Sequence, residues 1–273
     1  MKGVILCADD FAVNESASRG IAQLAVMGRI SATSAMVLSP RWAQDAALLQ
    51  DLRGRIDVGL HLDWTSDFAM AAGHGLSLNA AMLKALLGGF DVTTARAVIE
   101  RQLDAFEAHW QAPPDYVDGH QHVQQFAGIR EALVAALASR YGSQSRRPYL
   151  RISRAPSGSA DLKSRIIAAM GAVAIEKIAA HAGLTGATAL SGIYNFTGDA
   201  SSYARLMDCW LTTAPAGCII MCHPALSPEP GDVIGEARAQ EFAYLSGADF
   251  PVALERAGVE LVRGAAVLGL ANS

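Results

Sequence analysis

Two adjacent carboxylates, Asp9 and Asp10, close the short apolar run Gly3-Val-Ile-Leu-Cys-Ala, and three later apolar runs each end in histidine. Those later runs finish in His61, in Asp118-Gly-His120-Gln-His122, and in His223-Pro224. Burying two like charges side by side is unfavourable unless a cation meets them. A lone Asp here would be read as a helix cap. A pair at the mouth of a buried strand points to a metal or acid–base site.

Asp10, His61 and His120 together make a two-histidine, one-carboxylate set with open positions, which suits a divalent cation holding water. Such a cation lowers the pKa of its water and polarises a carbonyl. Asp9 would stay free of the metal and take the proton, and His223 could protonate the leaving group. That set suffices for metal-assisted hydrolysis of an amide or ester. Each residue also has a plainer reading. His61 could be a hydrogen-bonded core histidine, and His223 a satisfied turn histidine. If His120 and His122 continue a strand, alternation puts both imidazoles on one face, so both could bind metal or one could orient the other. Asp118 could fix a histidine tautomer or merely end its strand. Arg151 could anchor a substrate oxygen or pair with Asp9 or Asp118. His74, His109 and His181 fall on a loop or helices and read as structural or exposed.

The elements that must position these residues alternate along the whole chain. Strands are expected at 3–10, 31–38, 56–63, 115–123, 149–152, 187–194 and 218–224, with a last one at 259–262. Helices are expected between them, at about 14–27, 42–52, 91–110, 129–139, 160–182, 201–213 and 236–245. The segment from about 66 to 90 breaks this rhythm and reads as an inserted lid, interface segment or extra helix pair. Alternating strands and helices argue for parallel strands with helical crossovers. No glycine-rich phosphate loop follows the first strand, which weakens a nucleotide-binding sheet. Special residues at so many strand ends converge most naturally at one face of a (β/α) barrel, TIM-barrel-related, with about seven parallel strands. No linker or repeat divides the chain, so residues 1–273 read as a single domain.

Composition narrows the class. Of 273 residues, 51% are hydrophobic and 18% charged, enough apolar content for a large core and too little charge for disorder. The net charge of −4 comes without a basic run, which argues against a nucleic-acid binder. No apolar stretch reaches the roughly 20 residues needed to span a bilayer, and the first apolar run is too short for a signal peptide. Cys7, Cys209, Cys218 and Cys222 show no paired zinc or redox spacing. These features point to the cytoplasm. The apolar 66–90 segment points to a homodimer.

The motifs also carry a resemblance. Cys7-Ala-Asp9-Asp10-Phe11, Gly59-Leu-His61, Asp118-Gly-His120-Gln-His122 and Met221-Cys-His223-Pro224 stand in the order and context found in the YdjC-like carbohydrate deacetylases, a family that includes chitooligosaccharide deacetylase. Gly28-Arg-Ile-Ser-Ala-Thr-Ser34 and Arg238 to Leu245 are similar to that family too, so the resemblance spans nearly the whole chain. It implies a barrel-like fold and hydrolytic removal of acetyl from an N-acetylated sugar. It maps Asp9 onto the catalytic base, Asp10, His61 and His120 onto the ligands of one divalent cation, most often magnesium or zinc, and Arg151 onto an arginine of the fifth strand. His223 falls in the family's late histidine–proline motif, and its role as acid is inferred. Two positions depart from the pattern: Ala12 stands where the family usually has glycine, and Gln124 where a third alternating histidine is common. Some relatives are associated with hopanoid lipid synthesis, so the substrate need not be a chitin fragment. Two competing expectations remain: a metal-dependent phosphoesterase in a histidine-rich barrel, and a non-catalytic sugar-binding relative.

Overall fold

The computed structural model describes residues 1–144, 147–158 and 161–269. Among the described residues, eight strands carry the fold: β1 (Lys2–Phe11), β2 (Ala32–Ala35), β3 (Asp57–Leu62), β4 (Tyr116–Gly119), β5 (Tyr149–Leu150), β6 (Leu190–Ser191), β7 (Ile219–Cys222) and β8 (Val259–Leu261). All pair in parallel, in the order β5-β4-β3-β2-β1-β7-β6. The eighth, β8, shares β1: it pairs with Lys2–Val4 while β7 pairs with Ile5–Ala8. The outer strands approach each other as well. Leu150 N–H donates to Thr185 O, Ala187 N–H to Leu150 O, and Leu190 N–H to Arg154 O, so the sheet curls into a barrel-like wall.

The wall has two apolar faces, and β1 shows why. Val4, Leu6 and Ala8 pack into the large core beneath the helices, whereas Ile5 and Cys7 join Ala32, Tyr116, Tyr149, Leu190, Ile219 and Met221 in a smaller cluster on the other side. Strand alternation therefore aims Ile5, Cys7 and Asp9 inward. The interior is tight. A Cβ on Gly59 would lie 2.5 Å from the Tyr116 ring, so glycine on β3 makes room for that tyrosine.

Several elements are shorter than their sequence pattern suggests. β4 stops at Gly119, and His120–Gln125 is a tight 3-10 turn in which Gln121 and His122 have φ of 52° and 64°. The two imidazoles of His120 and His122 thus do not share a strand face, a correction to the alternation argument. Pairing explains the stop: β4 matches β3 only through Gly119, opposite Leu62 where β3 ends. The helix expected over 160–182 is two, Leu162–Ala169 and Ala172–His181. They break at Gly171, φ 137°, where a Cβ would sit 2.2 Å from Gln125 O. Residues 42–52 form one α turn followed by a 3-10 segment.

The 66–90 segment contains two short helices, Asp67–Ala71 and Leu78–Leu86. Leu76, Leu78, Met82 and Ala85 lean on the main core, whereas Leu83, Leu86 and Leu87 are exposed. Among the described residues, no helix is long and apolar enough to cross a membrane.

Candidate active site

β1 delivers both carboxylates to one place by breaking its own alternation. Asp10 has φ 64°, and the β1–β2 register shifts between Ala8 and Phe11. A regular strand would send Asp9 and Asp10 to opposite faces; the bulge turns Asp10 back toward the strand ends. Ala12 has φ 72° immediately after. Non-glycine residues with positive φ store strain and concentrate at functional sites.

The Asp10 carboxylate meets both histidines. Its Oδ1 lies 3.4 Å from His61 Nε2 and 3.2 Å from His120 Nδ1, and the three ligand atoms fall within 4.8 Å of one another. His61 is held from behind, its Nδ1–H donating to Asp118 Oδ1 at 2.6 Å. That bond fixes the Nδ1 proton and turns Nε2 toward Asp10, so Nε2 is the nitrogen a cation would engage on displacing its proton. Burial disfavours a charged imidazole, yet Asp118, Asp10 and Asp9 together raise the His61 pKa to about 10. A cluster that holds a proton this firmly is one that attracts cations.

Asp9 takes no part in that trio. Arg151 grips it with two hydrogen bonds of 2.6 Å, from Nη1 to Oδ2 and from Nη2 to Oδ1. The same Nη2 forms an ion pair with Asp118 Oδ2 at 2.6 Å, off the hydrogen-bond direction, and lies 3.1 Å from Cys7 Sγ. Ser34 Oγ–H adds a weaker bond to Asp9 Oδ1 at 3.3 Å. Burial works against the Asp9 anion, but the Arg151 guanidinium overrides it and keeps the carboxyl well below the usual range. Arg151 thus pairs with both Asp9 and Asp118.

His223, at the end of β7, places Nε2 3.9 Å from Asp9 Oδ2, and its Nδ1 is buried without a hydrogen-bond partner among the described residues. Burial pushes its pKa down to about 4, so the imidazole is neutral near pH 7. The edge of Phe196, itself at φ 57°, packs on its ring at 5.1 Å. His122 stands apart from Asp10, His61 and His120: its Nδ1 lies 3.1 Å from Ser153 Oγ, and burial together with the Arg151 charge lowers its pKa to about 3. His74 is structural, its Nε2 3.2 Å from Asp63 O.

Two residues without a role in the sequence reading complete the site. On the helix Gly235–Ser246, Arg238 Nη2–H donates to Asp10 Oδ2 at 2.7 Å, and Glu241 Oε2 accepts the His223 backbone N–H at 2.5 Å. A signal for them existed. Positions 238, 241 and 245 share one helical face, and Leu245 marks that face as buried, so charges there are out of place.

The comparisons agree with this architecture. The model of the family described as YdjC-like protein matches residues 3–256. Chitooligosaccharide deacetylase of Enterobacter sp. (strain 638) is 28% identical over 166 residues, 59% of this chain and 63% of that protein. The protein of the same name from Serratia marcescens is 29% identical over 147 residues, 52% of this chain and 57% of its own. The matched part thus spans less than two thirds of either relative. Among solved structures, a candidate cellobiose-phosphate cleavage protein of Enterococcus faecalis V583 superposes with a TM-score of 0.70 at 18% identity, covering 97% of this chain and 98% of that one, which shows a shared fold. With a family match running through every strand but β8, the chain belongs to the YdjC-like protein family.

Proposed function

We propose that this protein is a metal-dependent hydrolase that removes the acetyl group from an N-acetylated sugar or glycoconjugate. The observation that carries the reading is the meeting of Asp10 Oδ1, His61 Nε2 and His120 Nδ1 beside a second carboxylate and a neutral imidazole. The names of the curated relatives supply the substrate class. One oxygen and two imidazole nitrogens form a donor set that fits a divalent cation and favours zinc or another transition metal over magnesium. Bound there, such a cation supplies Lewis acidity, making water more acidic and polarising a carbonyl.

The protein's own groups divide the remaining work. Asp9, ionised and fixed by Arg151, orients the attacking water and receives its proton on Oδ2. A carboxylate so stabilised is a weak base, which matches it to an acidified water rather than to a free one. The His223 imidazole, neutral at rest with Nε2 3.9 Å from the same oxygen, can relay that proton to the departing nitrogen. The C–N bond breaks, the water oxygen stays with the acetyl carbon, and the products are acetate and a free amine. Both departures from the family pattern leave this geometry intact. Ala12 itself adopts a positive φ, a conformation glycine takes without strain, and Gln124 Nε2–H donates to Arg151 O and Ser153 Oγ. A phosphoesterase would want cations free for phosphate, whereas the Arg151 and Arg238 guanidinia both engage carboxylates. The free state of all four cysteines suits the cytoplasm.

The test pairs metal analysis of the purified protein with measurement of acetate and phosphate released from a panel of N-acetylated sugars and phosphoesters. Acetate release that depends on the metal is expected. Asp9→Asn should keep the metal and lose about 10²–10⁴-fold in turnover, whereas His61→Ala should lose the metal. Wild-type turnover in Asp9→Asn would overturn the base assignment, and phosphate release without acetate would overturn the reaction class.

A further inference from the structure

The helix Gly235–Ser246 turns two charged side chains into the protein, and they reach both halves of the site. Arg238 is 4% exposed and Glu241 fully buried. Arg238 donates through Nη2 to Asp10 Oδ2 at 2.7 Å, through Nε to Asp232 Oδ2 at 2.8 Å, and through Nη1 to the His223 carbonyl at 3.4 Å. Glu241 accepts the N–H of that same His223 at 2.5 Å, and its other oxygen accepts the Tyr194 hydroxyl at 2.5 Å. One helix therefore holds both backbone polar groups of His223 and the outer oxygen of Asp10.

Stability alone does not account for this. Well-packed apolar residues in place of a buried ion pair are often neutral or stabilising. The geometry accounts for it better. Asp10 sits in a left-handed conformation that its surroundings must over-determine. Its carboxylate can rotate unless one oxygen is fixed. With Oδ2 bound to Arg238, Oδ1 is the oxygen left to face His61 and His120.

We propose that Arg238 is a positioning residue for the metal, acting through Asp10, and that Glu241 on the same helix sets the place of His223 without acting on the metal. The proposal rests on the metal-site reading above. Its test uses the metal alone. Zinc and cobalt(II) are titrated calorimetrically into the metal-free full-length wild type, Arg238→Met, Arg238→Lys and Glu241→Gln, and the visible spectrum of each cobalt form is recorded.

Arg238→Met should bind zinc about 10–100-fold more weakly, the range seen when a ligand loses its orienting partner, with an altered cobalt spectrum. Arg238→Lys keeps a donor for Asp10 and should recover part of the loss. Glu241→Gln should stay within about twofold of wild type, with an unchanged spectrum. Unchanged affinity in Arg238→Met, or an equal loss in Glu241→Gln, overturns the proposal. Should Arg238→Met not fold, Arg238→Lys decides: wild-type affinity with a changed spectrum, or a smaller affinity loss that Glu241→Gln does not share, supports it, and wild-type behaviour in both readouts overturns it. A wild-type protein that binds neither ion overturns the metal-site reading itself, a result distinct from tight binding in every variant.

Discussion

Each of the two site carboxylates is matched to its own arginine, and the two pairs sit in different surroundings. Inside the barrel, Arg151 lies fully buried among Asp9, Asp118 and Cys7, with partners supplied by strands or strand ends. At the rim, Arg238 comes from a helix and spans Asp10 and Asp232, and Asp232 keeps contact with water. The inner arginine immobilises a carboxylate and keeps it ionised. The outer one aims a carboxylate whose other oxygen faces two imidazoles. The same ion pair thus serves as a lock in a closed interior and as a pointer at an edge. The difference comes from where the partner charges can go when the arginine is removed.

That difference predicts unequal consequences for stability. Arg151→Met leaves Asp9 and Asp118 buried without their cation. Removing one partner of a buried ion pair destabilises by roughly 3–5 kcal/mol, and the upper end is expected here because two carboxylates are stranded. Arg238→Met strands Asp10 alone, since Asp232 can rehydrate, and should lose less. Urea unfolding of the metal-free proteins measures both. A loss in Arg238→Met equal to or larger than that in Arg151→Met would dissolve the contrast between interior and rim.

The sequence showed the inner region more fully than the outer one. Strand endings are legible because a short apolar run stops at a polar residue, and this exposed Asp9, Asp10, His61, His120 and His223 together with the parallel barrel-like order. The local geometry at those endings was not legible. Alternation assigns His122 to the face of His120, but two left-handed residues in succession redirect it to Ser153. No residue type at Gln121 or His122 announces such a turn, because tertiary contacts impose it. The choice of partners for Arg151 also depends on the curl of the sheet, which brings β5 over the end of β1. Arg238 and Glu241 were hidden for another reason. Charged residues on a helix are ordinarily solvated, and only their alignment with Leu245 marks them as inward-facing.

A second difference between the regions concerns pH. The inner carboxylate Asp9 is held well below the usual range, whereas Glu241 at the rim is pushed up by burial to about 7, against an ordinary value of 4.5. A carboxyl whose pKa is higher in the folded protein than in the unfolded chain favours the native state in its protonated form. Its contribution to stability is complete below about pH 4.5 and is lost as pH rises through 7. Glu241→Gln, which cannot ionise, removes that dependence. The wild-type minus Glu241→Gln difference in unfolding free energy should therefore fall between pH 4.5 and 7.5, by about 3 kcal/mol. A difference that is flat, or that rises with pH, would mean Tyr194, the His223 N–H and Arg238 satisfy the Glu241 anion fully, and the two regions would then not differ in this respect.

The smallest effect is expected at the joint between the two regions. β1 feeds Asp9 to the inner arginine and Asp10 to the outer one, and the chain then turns through Ala12 at φ 72°. Ala12→Gly should relieve a left-handed alanine, about 1–2 kcal/mol. Against that stand the added backbone entropy of glycine in the unfolded chain, about 0.5–1 kcal/mol, and the loss of a fully buried methyl group, about 0.8 kcal/mol. These nearly cancel, so the unfolding free energy of Ala12→Gly should lie within about 1 kcal/mol of wild type. Its zinc affinity should also be unchanged, because Arg238 rather than the turn holds the Asp10 carboxylate. Weakened zinc binding in Ala12→Gly at unchanged stability would place control of Asp10 in the backbone of the turn and reduce the outer arginine to a structural pair.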